Sequence, residues 1–480
     1  MSANLNFVAG QWRPAATGRS FERRNPADTD DLIGAFPASG PADVEAAVAG
    51  LRRGAAAWAK SSPEQRMQVL ERMAELMLAR TDELARELTR EEGKTLAESS
   101  NEVKRTAANF RLYAGEALRL RGETFPAEGG QIVMTLRRPV GIVAAITPWN
   151  FPISIPARKI GPALAAGNAV LFKPAGLTPL MGQRLVELLL EAGLPAEAIA
   201  LVQGSGAEVG DAVVAGANAV TFTGSYATGC GIYAKAGPER RTQLEMGGKN
   251  PCIVLEDADP EVAATVIARG AFGLSGQACT GTSRVLAVGS IYDAVVEKVA
   301  AKAAAIAVGN GLHQGVGMGP QASEGQMNTV LGYVALGREE GARLVAGGER
   351  VTGEGCDKGW FVRPTVFADV PAGARLQREE IFGPVVGLQR VDDLDQALAM
   401  ANDVEYGLAA SLVTRDLGKA IDFAERIDAG VIKVNSPTTG VALTAPFGGI
   451  KHSSNQTYKE QAGHGVMDFY TTTKTVYLAG

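Results

Sequence analysis

The sequence predicts an α/β protein with two domains, each built around a mostly parallel sheet. Short apolar runs alternate with amphipathic segments at the spacing of βαβ units, first over residues 168–237 and again from residue 251 onwards. The chain has 480 residues, more than a single hydrophobic core usually serves. We place the junction of the two domains near Gly247–Gly248, so Cys279 falls early in the second domain.

Helices are expected over the first 120 residues. Segments 41–60 and 64–94 carry apolar residues at intervals of three and four, which is typical of amphipathic helices. Residues 129–149, GGQIVMTLRRPVGIVAAITPW, combine alternation with β-branched clusters. This pattern predicts a hairpin followed by a buried strand.

The two alternating regions divide into strands and helices as follows. In the first region, strands are expected in NAVLFKP, AIALVQG and AVTFTG, and helices in TPLMGQRLVELLLEAG, AEVGDAVVAG and SYATGCGIYAKAG. The first of these helices has Thr178 as its cap and Gly193 at its end. The second region continues with PCIVLED, PEVAATVIARGAF, SRVLAVG and IYDAVVEKVAAKAAAIAVG. The last segment, GVMDFYTTTKTVYL, alternates like an edge strand that pairs either with another subunit or with its own domain.

Composition excludes several classes of protein. The net charge is −5 and no basic block is long enough to follow a phosphate backbone, so no nucleic-acid partner is expected. The most apolar stretch is interrupted by prolines, so no membrane span is expected, and the N-terminus does not resemble a secretion signal. Four cysteines in so long a chain indicate reduced thiols and a cytoplasmic protein. The three histidines lack metal-ligand spacing, so no metal is expected.

Three side chains are candidates for catalysis. Cys279 lies among small and hydroxyl residues with no histidine within thirty positions, and it is either inert or a nucleophile. Glu245, between apolar neighbours and a double glycine, is either a general base with a raised pKa or a helix-end or hinge glutamate. Asn150 follows a buried strand between prolines, where its amide could donate to an oxyanion or cap the next helix.

Two further features lie where strands end. Gly224, Ser225 and Gly229 mark a strand-to-helix turn, which is either an anion site of backbone N–H groups or only a tight turn. It is not a GxGxxG fingerprint. Lys173 ends an earlier strand at the carboxyl edge of the sheet, where α/β folds bind ligands, although a lysine there is more often solvated.

Seven motifs in order resemble the NAD(P)-dependent aldehyde dehydrogenase superfamily. They are TPWNFP (147–152), GPALAAGNAVLFKPA (161–175), FTGS (222–225), LEMGGKNP (244–251), GQACTGTSR (276–284), EEIFGPV (379–385) and PFGGIK (446–451). The resemblance implies an aldehyde-dehydrogenase-like α/β fold with a variant Rossmann cofactor domain (1–119 and 139–247) and an α/β catalytic domain (248–455). It also implies a β-hairpin oligomerisation arm (120–138 and 456–480) and a homodimer or homotetramer.

The resemblance assigns roles to the candidate residues. Cys279 matches the nucleophile, Glu245 the base that activates water, and Asn150 the side-chain half of an oxyanion hole completed by the Cys279 backbone N–H. An aldehyde would form a thiohemiacetal, pass hydride to NAD or NADP, and leave as a hydrolysed thioester. The cofactor-binding residues implied are Lys173 at the adenosine ribose, Gly224 and Ser225 at the pyrophosphate, and Trp149, Glu380 and Phe382 around the nicotinamide and its ribose.

Arg158 predicts the kind of substrate. It lies eight residues after Asn150, about two helical turns, so the two side chains could share a helix face. A guanidinium forms a forked pair with a carboxylate, and the sequence is similar here to succinic semialdehyde and 2-oxoglutarate semialdehyde dehydrogenases. CTGTSRV and TKTVYL favour 2-oxoglutarate semialdehyde (2,5-dioxopentanoate), with succinic semialdehyde or a broad aldehyde range as alternatives.

Departures from the family pattern and rival functions complete the prediction. Gly176 stands where NAD-preferring members carry glutamate, so NADP should be tolerated. The segment KHSSNQTYKEQ departs from the family's usual glycine-rich run. A cysteine hydrolase would need a histidine partner, and a non-catalytic descendant would lack Cys279 or Glu245. A coenzyme-A-dependent enzyme would not need the base.

Overall fold

The computed structural model describes residues 4–353 and 355–479, which form two seven-stranded sheets with helices on both faces. Short 3₁₀ turns lie at Ala196–Ala198 and Gly273–Gly276. The helices are α1 (Pro41–Trp58), α2 (Pro63–Ala79), α3 (Thr81–Glu92), α4 (Leu96–Ala117), α5 (Ser154–Ala165), α6 (Pro179–Glu191), α7 (Gly206–Gly216), α8 (Tyr226–Ala236), α9 (Pro260–Phe272), α10 (Gly289–Ala304), α11 (Glu324–Glu339), α12 (Arg375–Arg378), α13 (Leu394–Asn402), α14 (Leu417–Arg426) and α15 (Met467–Tyr470). The strands are β1 (Asn6–Val8), β2 (Gln11–Arg13), β3 (Ser20–Asn25), β4 (Asp28–Pro37), β5 (Thr124–Phe125), β6 (Ile132–Pro139), β7 (Ile142–Ile146), β8 (Ala169–Lys173), β9 (Ile199–Leu201), β10 (Ala219–Thr223), β11 (Arg241–Glu245), β12 (Asn250–Val254), β13 (Thr282–Val288), β14 (Arg343–Ala346), β15 (Thr365–Ala368), β16 (Val385–Val391), β17 (Tyr406–Gly407), β18 (Ala409–Val413), β19 (Val431–Val434), β20 (Ile450–Lys451) and β21 (Thr471–Leu478).

The first sheet has the order β11-β10-β7-β8-β9-β1-β2. Its first five strands are parallel, and β1 and β2 extend it antiparallel. β7, β8, β9 and β10 are buried along their whole length, as expected of apolar runs covered on both faces. The register pairs Ile146 with Lys173 and Thr223 with Glu245, so these residues share the carboxyl edge of the sheet.

The second sheet has the order β14-β15-β16-β13-β12-β18-β19 and is parallel except for β14. The chain passes from β11 in the first sheet to β12 in the second through residues 246–249. Asn250 at the start of β12 pairs with Thr282 at the start of β13. Because Cys279 lies three residues before Thr282, this register brings the loop that carries the thiol next to the crossing between the two sheets.

A third sheet has the order β21-β6-β5, and its β5–β6 pair is a hairpin whose paired residues lie within 120–138. The buried strand expected in residues 129–149 is β7, but of the hairpin expected there only β6 lies in that segment, because its partner β5 precedes it. Of the two alternatives for the C-terminal strand, the structure contains the pairing within the chain. β21 runs antiparallel to β6, from Thr471 opposite Pro139 to Leu478 opposite Ile132.

The expectation of helices over the first 120 residues is wrong for residues 6–37. Helices α1 to α4 confirm it from residue 41 onwards, but β1 to β4 precede them. β1 and β2 are only three residues long, and Phe7 of β1 is buried against β9, almost two hundred residues away. Strands this short leave little periodicity in the sequence, because their stability comes from pairing with distant segments.

The cap of α6 differs from the prediction. Thr178 is the N-cap residue, but its side chain makes no cap hydrogen bond. The carboxylate of Glu91, which belongs to α3, instead accepts hydrogen bonds from the backbone N–H groups of Leu180 (2.7 Å) and Met181 (3.0 Å). A negative charge at a helix N-terminus is stabilised by the helix dipole, so the buried carboxylate replaces the hydroxyl as the cap.

Two features are absent from residues 4–353 and 355–479. No helix in this part of the chain is both long and apolar enough to cross a bilayer. The same residues contain no cluster of three or more His, Cys, Asp or Glu side chains that could hold a metal ion.

Candidate active site

Cys279 lies between two cavities of similar size. We call the first the arginine cavity; it has a volume of about 290 Å³ and is bounded by Arg105, Arg158, Glu245 and Cys279, among others. We call the second the aromatic cavity; it has a volume of about 280 Å³. The predicted site residues that line the aromatic cavity are Trp149, Asn150, Gly224, Ser225, Cys279, Glu380 and Phe382. A thiol that borders two cavities can face a different molecule on each side.

The loop that carries Cys279 is fixed by Asn250. The amide of Asn250 donates hydrogen bonds to the carbonyl oxygens of Cys279 (2.8 Å) and Gly281 (2.9 Å) and accepts one from the backbone N–H of Ala409 (3.0 Å). A Cβ atom at Gly248 would lie 2.6 Å from the Cys279 carbonyl oxygen. The double glycine is therefore required for the close approach of the β11–β12 crossing to the nucleophile loop.

The thiol of Cys279 is neutral in this environment. Burial raises its pKa to about 12, and the charges of Glu245 and Glu380 raise it further than Arg158 and the Thr280 backbone N–H lower it. A proton acceptor has to be present when the sulfur reacts.

Glu245 is the last residue of β11, not a helix-end residue, and only 1% of it is exposed. Burial raises its pKa well above the usual value, and the charges of Lys159 and Arg158 and the Gly449 backbone N–H offset this in part. Neither carboxylate oxygen accepts a well-formed hydrogen bond from a described side chain. Such a carboxyl group is available to exchange protons with a molecule in the arginine cavity.

Lys159 is a charged group that the sequence did not reveal. It is fully buried on α5, where its ammonium donates hydrogen bonds to Thr221 Oγ1 (2.9 Å) and Gln461 Oε1 (2.7 Å). Burial lowers its pKa to about 7, although the charge of Glu245 raises it. A lysine beside a buried carboxyl group stabilises the carboxylate form, so Lys159 influences when Glu245 can act as a base.

Asn150 and Arg158 do not share a helix face, so this prediction is wrong. Pro152 disfavours a helical backbone at Phe151, and α5 begins only at Ser154. Asn150 lies in the turn after β7, and Arg158 lies on α5. The two side chains instead reach Cys279 from different cavities.

The Asn150 amide does not cap α5. One of its N–H groups donates to the carbonyl oxygen of Gln277 at 2.9 Å, which leaves the other for a second acceptor. Its backbone carbonyl accepts a 2.6 Å hydrogen bond from the buried ammonium of Lys94, which also binds Glu102 at 2.6 Å. The second oxygen of Glu102 caps α5 by accepting from the N–H groups of Ile153 and Ser154.

The aromatic cavity is shaped by two ring systems and a carboxyl group. Trp149 and Phe382 meet edge to face, with ring centroids 5.4 Å apart. Glu380 accepts a 3.0 Å hydrogen bond from the Gly248 N–H, and burial raises its pKa to about 7. Phe382 has a φ angle of 57°, a conformation that costs energy for a residue with a Cβ atom and marks a constrained site.

The strand-to-helix turn differs in part from the anion site expected there. The Gly224 N–H donates to the Glu245 carbonyl oxygen at 3.1 Å, and the Gly229 N–H donates to that of Ser225. Ser225 caps α8 by accepting from the Thr228 N–H. The glycines are required by packing, since a Cβ atom at Gly224 would lie 2.5 Å from the Phe222 ring.

Lys173 is the one predicted site residue that lines neither cavity. It is buried at the end of β8, not solvated, and its ammonium donates to the Pro174 carbonyl oxygen at 3.1 Å. Burial lowers its pKa to about 8. Open space surrounds Gly176, because a Cβ atom added there would meet nothing within 4 Å.

Comparison with known proteins identifies the family. The aldehyde dehydrogenase family model matches residues 12–476. The chain therefore belongs to the aldehyde dehydrogenase family, and it is an oxidoreductase that acts on aldehydes with NAD or NADP.

Individual relatives are similar over nearly the whole chain. A protein of Bacillus subtilis (strain 168) named alpha-ketoglutaric semialdehyde dehydrogenase is 42% identical, with 99% of this chain and 98% of the relative covered. A protein of Saccharolobus solfataricus named 2,5-dioxopentanoate dehydrogenase is 41% identical, with 98% of each covered. The crystal structure of PnpE with nicotinamide adenine dinucleotide has a TM-score of 0.95 at 35% identity, covering 99% of this chain and 97% of its own. The expected family and fold are confirmed.

The aromatic cavity fits the nicotinamide end of such a cofactor. Its lining includes Ser225, Glu380 and the thiol-bearing Cys279. A Cβ atom at Gly247 would lie 2.2 Å from the Glu380 carboxylate, so the glycine keeps this carboxyl group at the cavity wall. Glu380 can accept hydrogen bonds from ribose hydroxyl groups there, and the two rings can hold a planar nicotinamide.

Proposed function

We propose that this enzyme oxidises 2-oxoglutarate semialdehyde (2,5-dioxopentanoate) to 2-oxoglutarate. The observation that carries the proposal is Arg158, a guanidinium without an ion-pair partner among the described residues, in the same cavity as Cys279 and Glu245. A cation in that position recognises the carboxylate of a semialdehyde acid while the aldehyde reaches the thiol. Relatives at 41–42% identity that carry this substrate in their names support the choice among such acids.

The first half of the proposed reaction takes place at Cys279. The sulfur bonds to the aldehyde carbon while the thiol proton is lost to solvent, and the electron pair of the C=O bond moves to the oxygen, which becomes an oxyanion. The free N–H of the Asn150 amide and the Cys279 backbone N–H donate to that oxygen; losing one such donor costs about 10²–10³ in rate in comparable enzymes. The nicotinamide, when bound, supplies the acceptor for the hydride that the adduct loses as it becomes a thioester.

The second half takes place at Glu245. Its carboxylate takes a proton from a water molecule, the resulting hydroxide bonds to the thioester carbon, the C–S bond breaks to release the acid, and the proton held by Glu245 returns to the sulfur. Lys159, whose charge favours the ionised form of Glu245, supports this role. The absence of a histidine near Cys279 in the sequence fits a base that acts mainly on water.

The substrate proposal is tested by comparing kcat/KM for 2-oxoglutarate semialdehyde, succinic semialdehyde and butanal, each with NAD and NADP. We expect 2-oxoglutarate semialdehyde to be preferred. Arg158→Leu should lower kcat/KM for both acids by about tenfold to a hundredfold, the value of a charge-assisted hydrogen bond, and barely change it for butanal. Equal losses on all three aldehydes would remove the argument for Arg158, and a preference for succinic semialdehyde would favour that alternative.

We further propose the organisation that the family resemblance implies. Residues 1–119 and 139–247 would bind the cofactor, residues 248–455 would form the catalytic domain, and residues 120–138 with 456–480 would form an arm. The arm carries exposed apolar side chains, including Ile132 (57%) and Tyr477 (69%), which supports a homodimer or homotetramer. A cytoplasmic location would keep the Cys279 thiol reduced.

A further inference from the structure

Arg105 is a second arginine in the arginine cavity. It comes from α4, whereas Arg158 comes from α5, so two separate helices direct guanidinium groups into one space of about 290 Å³. The two groups are close enough to interact: the pKa of Arg158 is lowered first by burial and next by the charge of Arg105. Like charges brought together in a partly dry cavity repel each other.

Neither guanidinium has a counter-ion. Among the described residues, no carboxylate forms an ion pair with Arg105 or Arg158, although Arg184 on α6 pairs with both Glu87 and Glu187. Arg105 Nη2 and Arg158 Nε are buried and make no hydrogen bond there. Buried donors are normally satisfied, and unpaired buried charges are costly, so an exception at a cavity wall calls for a ligand.

The other charged groups around the cavity do not neutralise the pair. Lys433 acts on Arg105 with a further positive charge and donates hydrogen bonds to the carbonyl oxygens of Thr439 and Gly440, which line the same cavity. Arg269 is exposed at the cavity and adds another positive charge. Glu245 is the one acid that lines the cavity among the described residues, and burial favours its neutral form. The space is therefore suited to an anion with several acceptor oxygens.

We propose that Arg105 and Arg158 together bind the 2-oxo acid end of the substrate, with Arg105 as the residue that distinguishes a 2-oxo acid from a simple carboxylic acid. This inference rests on the proposed function. A 2-oxo acid offers two carboxylate oxygens and a neighbouring oxo oxygen, enough acceptors for two guanidinium forks. Succinic semialdehyde is one carbon shorter and lacks the oxo group, so it leaves one fork unsatisfied.

The test compares wild type with Arg105→Leu, Arg105→Lys and the control Lys104→Leu. Lys104 is the exposed neighbour of Arg105 on α4 and lines neither the arginine cavity nor the aromatic cavity, so its variant removes a positive charge without touching the site. For Arg105→Leu we expect kcat/KM for 2-oxoglutarate semialdehyde to fall by about tenfold to a hundredfold, mainly through KM. The fall should stay below about threefold for succinic semialdehyde and butanal, and for the control on all three aldehydes. Arg105→Lys should recover part of the loss, because it restores the charge without the fork.

Two results have different consequences. A wild-type enzyme that does not prefer 2-oxoglutarate semialdehyde contradicts the proposed function itself. A wild type that prefers it, together with an Arg105→Leu variant that keeps the same preference over succinic semialdehyde, overturns the inference about Arg105 alone. Melting curves of all four proteins separate a loss of recognition from a loss of folding.

Discussion

Replacing Lys94 with methionine is expected to destabilise the protein and to slow turnover at the same time. The Lys94 ammonium, 1% exposed, lies 2.6 Å from a Glu102 oxygen and 2.6 Å from the Asn150 carbonyl oxygen. Glu102 in turn caps α5, the helix that carries Arg158. One ion pair therefore holds both the proposed oxyanion donor, Asn150, and the helix that carries Arg158, the proposed substrate arginine.

The magnitude follows from what the substitution leaves behind. Methionine fills much of the space of lysine but leaves the Glu102 carboxylate, 2% exposed, without its cation. Breaking a buried ion pair in this way costs about 3–5 kcal/mol, which corresponds to a melting temperature lower by roughly 6–20 °C for a domain of this size. A displaced Asn150 weakens the oxyanion site, so kcat should fall by at least about tenfold.

The assay combines melting curves with steady-state kinetics on Lys94→Met, Glu102→Gln, the double variant and the control Lys104→Met. The double variant should be less destabilised than the sum of the single variants, because Glu102→Gln removes one of the two buried carboxylates, Glu92 and Glu102, that Lys94→Met leaves without a cation. Lys104 is exposed on α4, the helix that carries Glu102, and its variant should behave like wild type. A Lys94→Met enzyme that melts and turns over like the control would refute the positioning role of the pair.

Three further predictions concern the base, the cofactor and the arm. Burial raises the pKa of Glu245, and in the proposed reaction only its carboxylate is active, so kcat should rise with pH through a range well above that of an ordinary glutamate; a Glu245→Gln variant with the same rise would contradict this. A glutamate at position 176 would stand in open space and repel the 2′-phosphate of NADP, so Gly176→Glu should lower kcat/KM about tenfold with NADP and little with NAD. Equal losses with the two cofactors would exclude charge repulsion as the cause. Ile132→Glu with Tyr477→Glu should lower the mass in light scattering to that of one chain, and an unchanged mass would remove the arm from the interface.

The sequence reveals one site residue through its position at a strand end. Apolar runs predict β8, β9 and β10, and parallel strands bring their carboxyl ends to one edge. Lys173 is therefore expected at that edge, and the register confirms it, whereas β11, the strand that ends at Glu245, was not predicted. Cys279 depends on the family resemblance instead, because nothing near it in the sequence indicates how it is activated.

The residues that the sequence missed depend on contacts between distant segments. Arg105 lies on α4, in a region for which the sequence predicts only helices, and the packing of α4 beside α5 turns it towards the cavity. Lys159 contacts Gln461, 302 positions away, so its burial leaves no local signal except a lysine in an apolar helix. Asn250 belongs to the motif LEMGGKNP, but its hydrogen bond to the Cys279 carbonyl oxygen requires the pairing of β12 with β13.

The raised pKa of Cys279 is another property that the sequence does not contain. A loop of small residues suggests an open, ordinary thiol, whereas the fold places the sulfur beside two buried carboxyl groups, Glu245 and Glu380. The turn at Pro152 likewise separates Asn150 from α5, although the spacing to Arg158 fits two helical turns. At both places tertiary contacts override what the local sequence pattern suggests.

In the proposed reaction Cys279 carries the acyl group, and Glu245 activates the water that removes it. The most direct measurement is intact-protein mass spectrometry of Glu245→Gln after mixing with 2-oxoglutarate semialdehyde and NADP. We expect one 2-oxoglutaryl group per chain, located on Cys279 by peptide mapping and absent from the Cys279→Ala/Glu245→Gln double variant. A Glu245→Gln enzyme that turns over at the wild-type rate without any adduct, or an adduct on another residue, would contradict it.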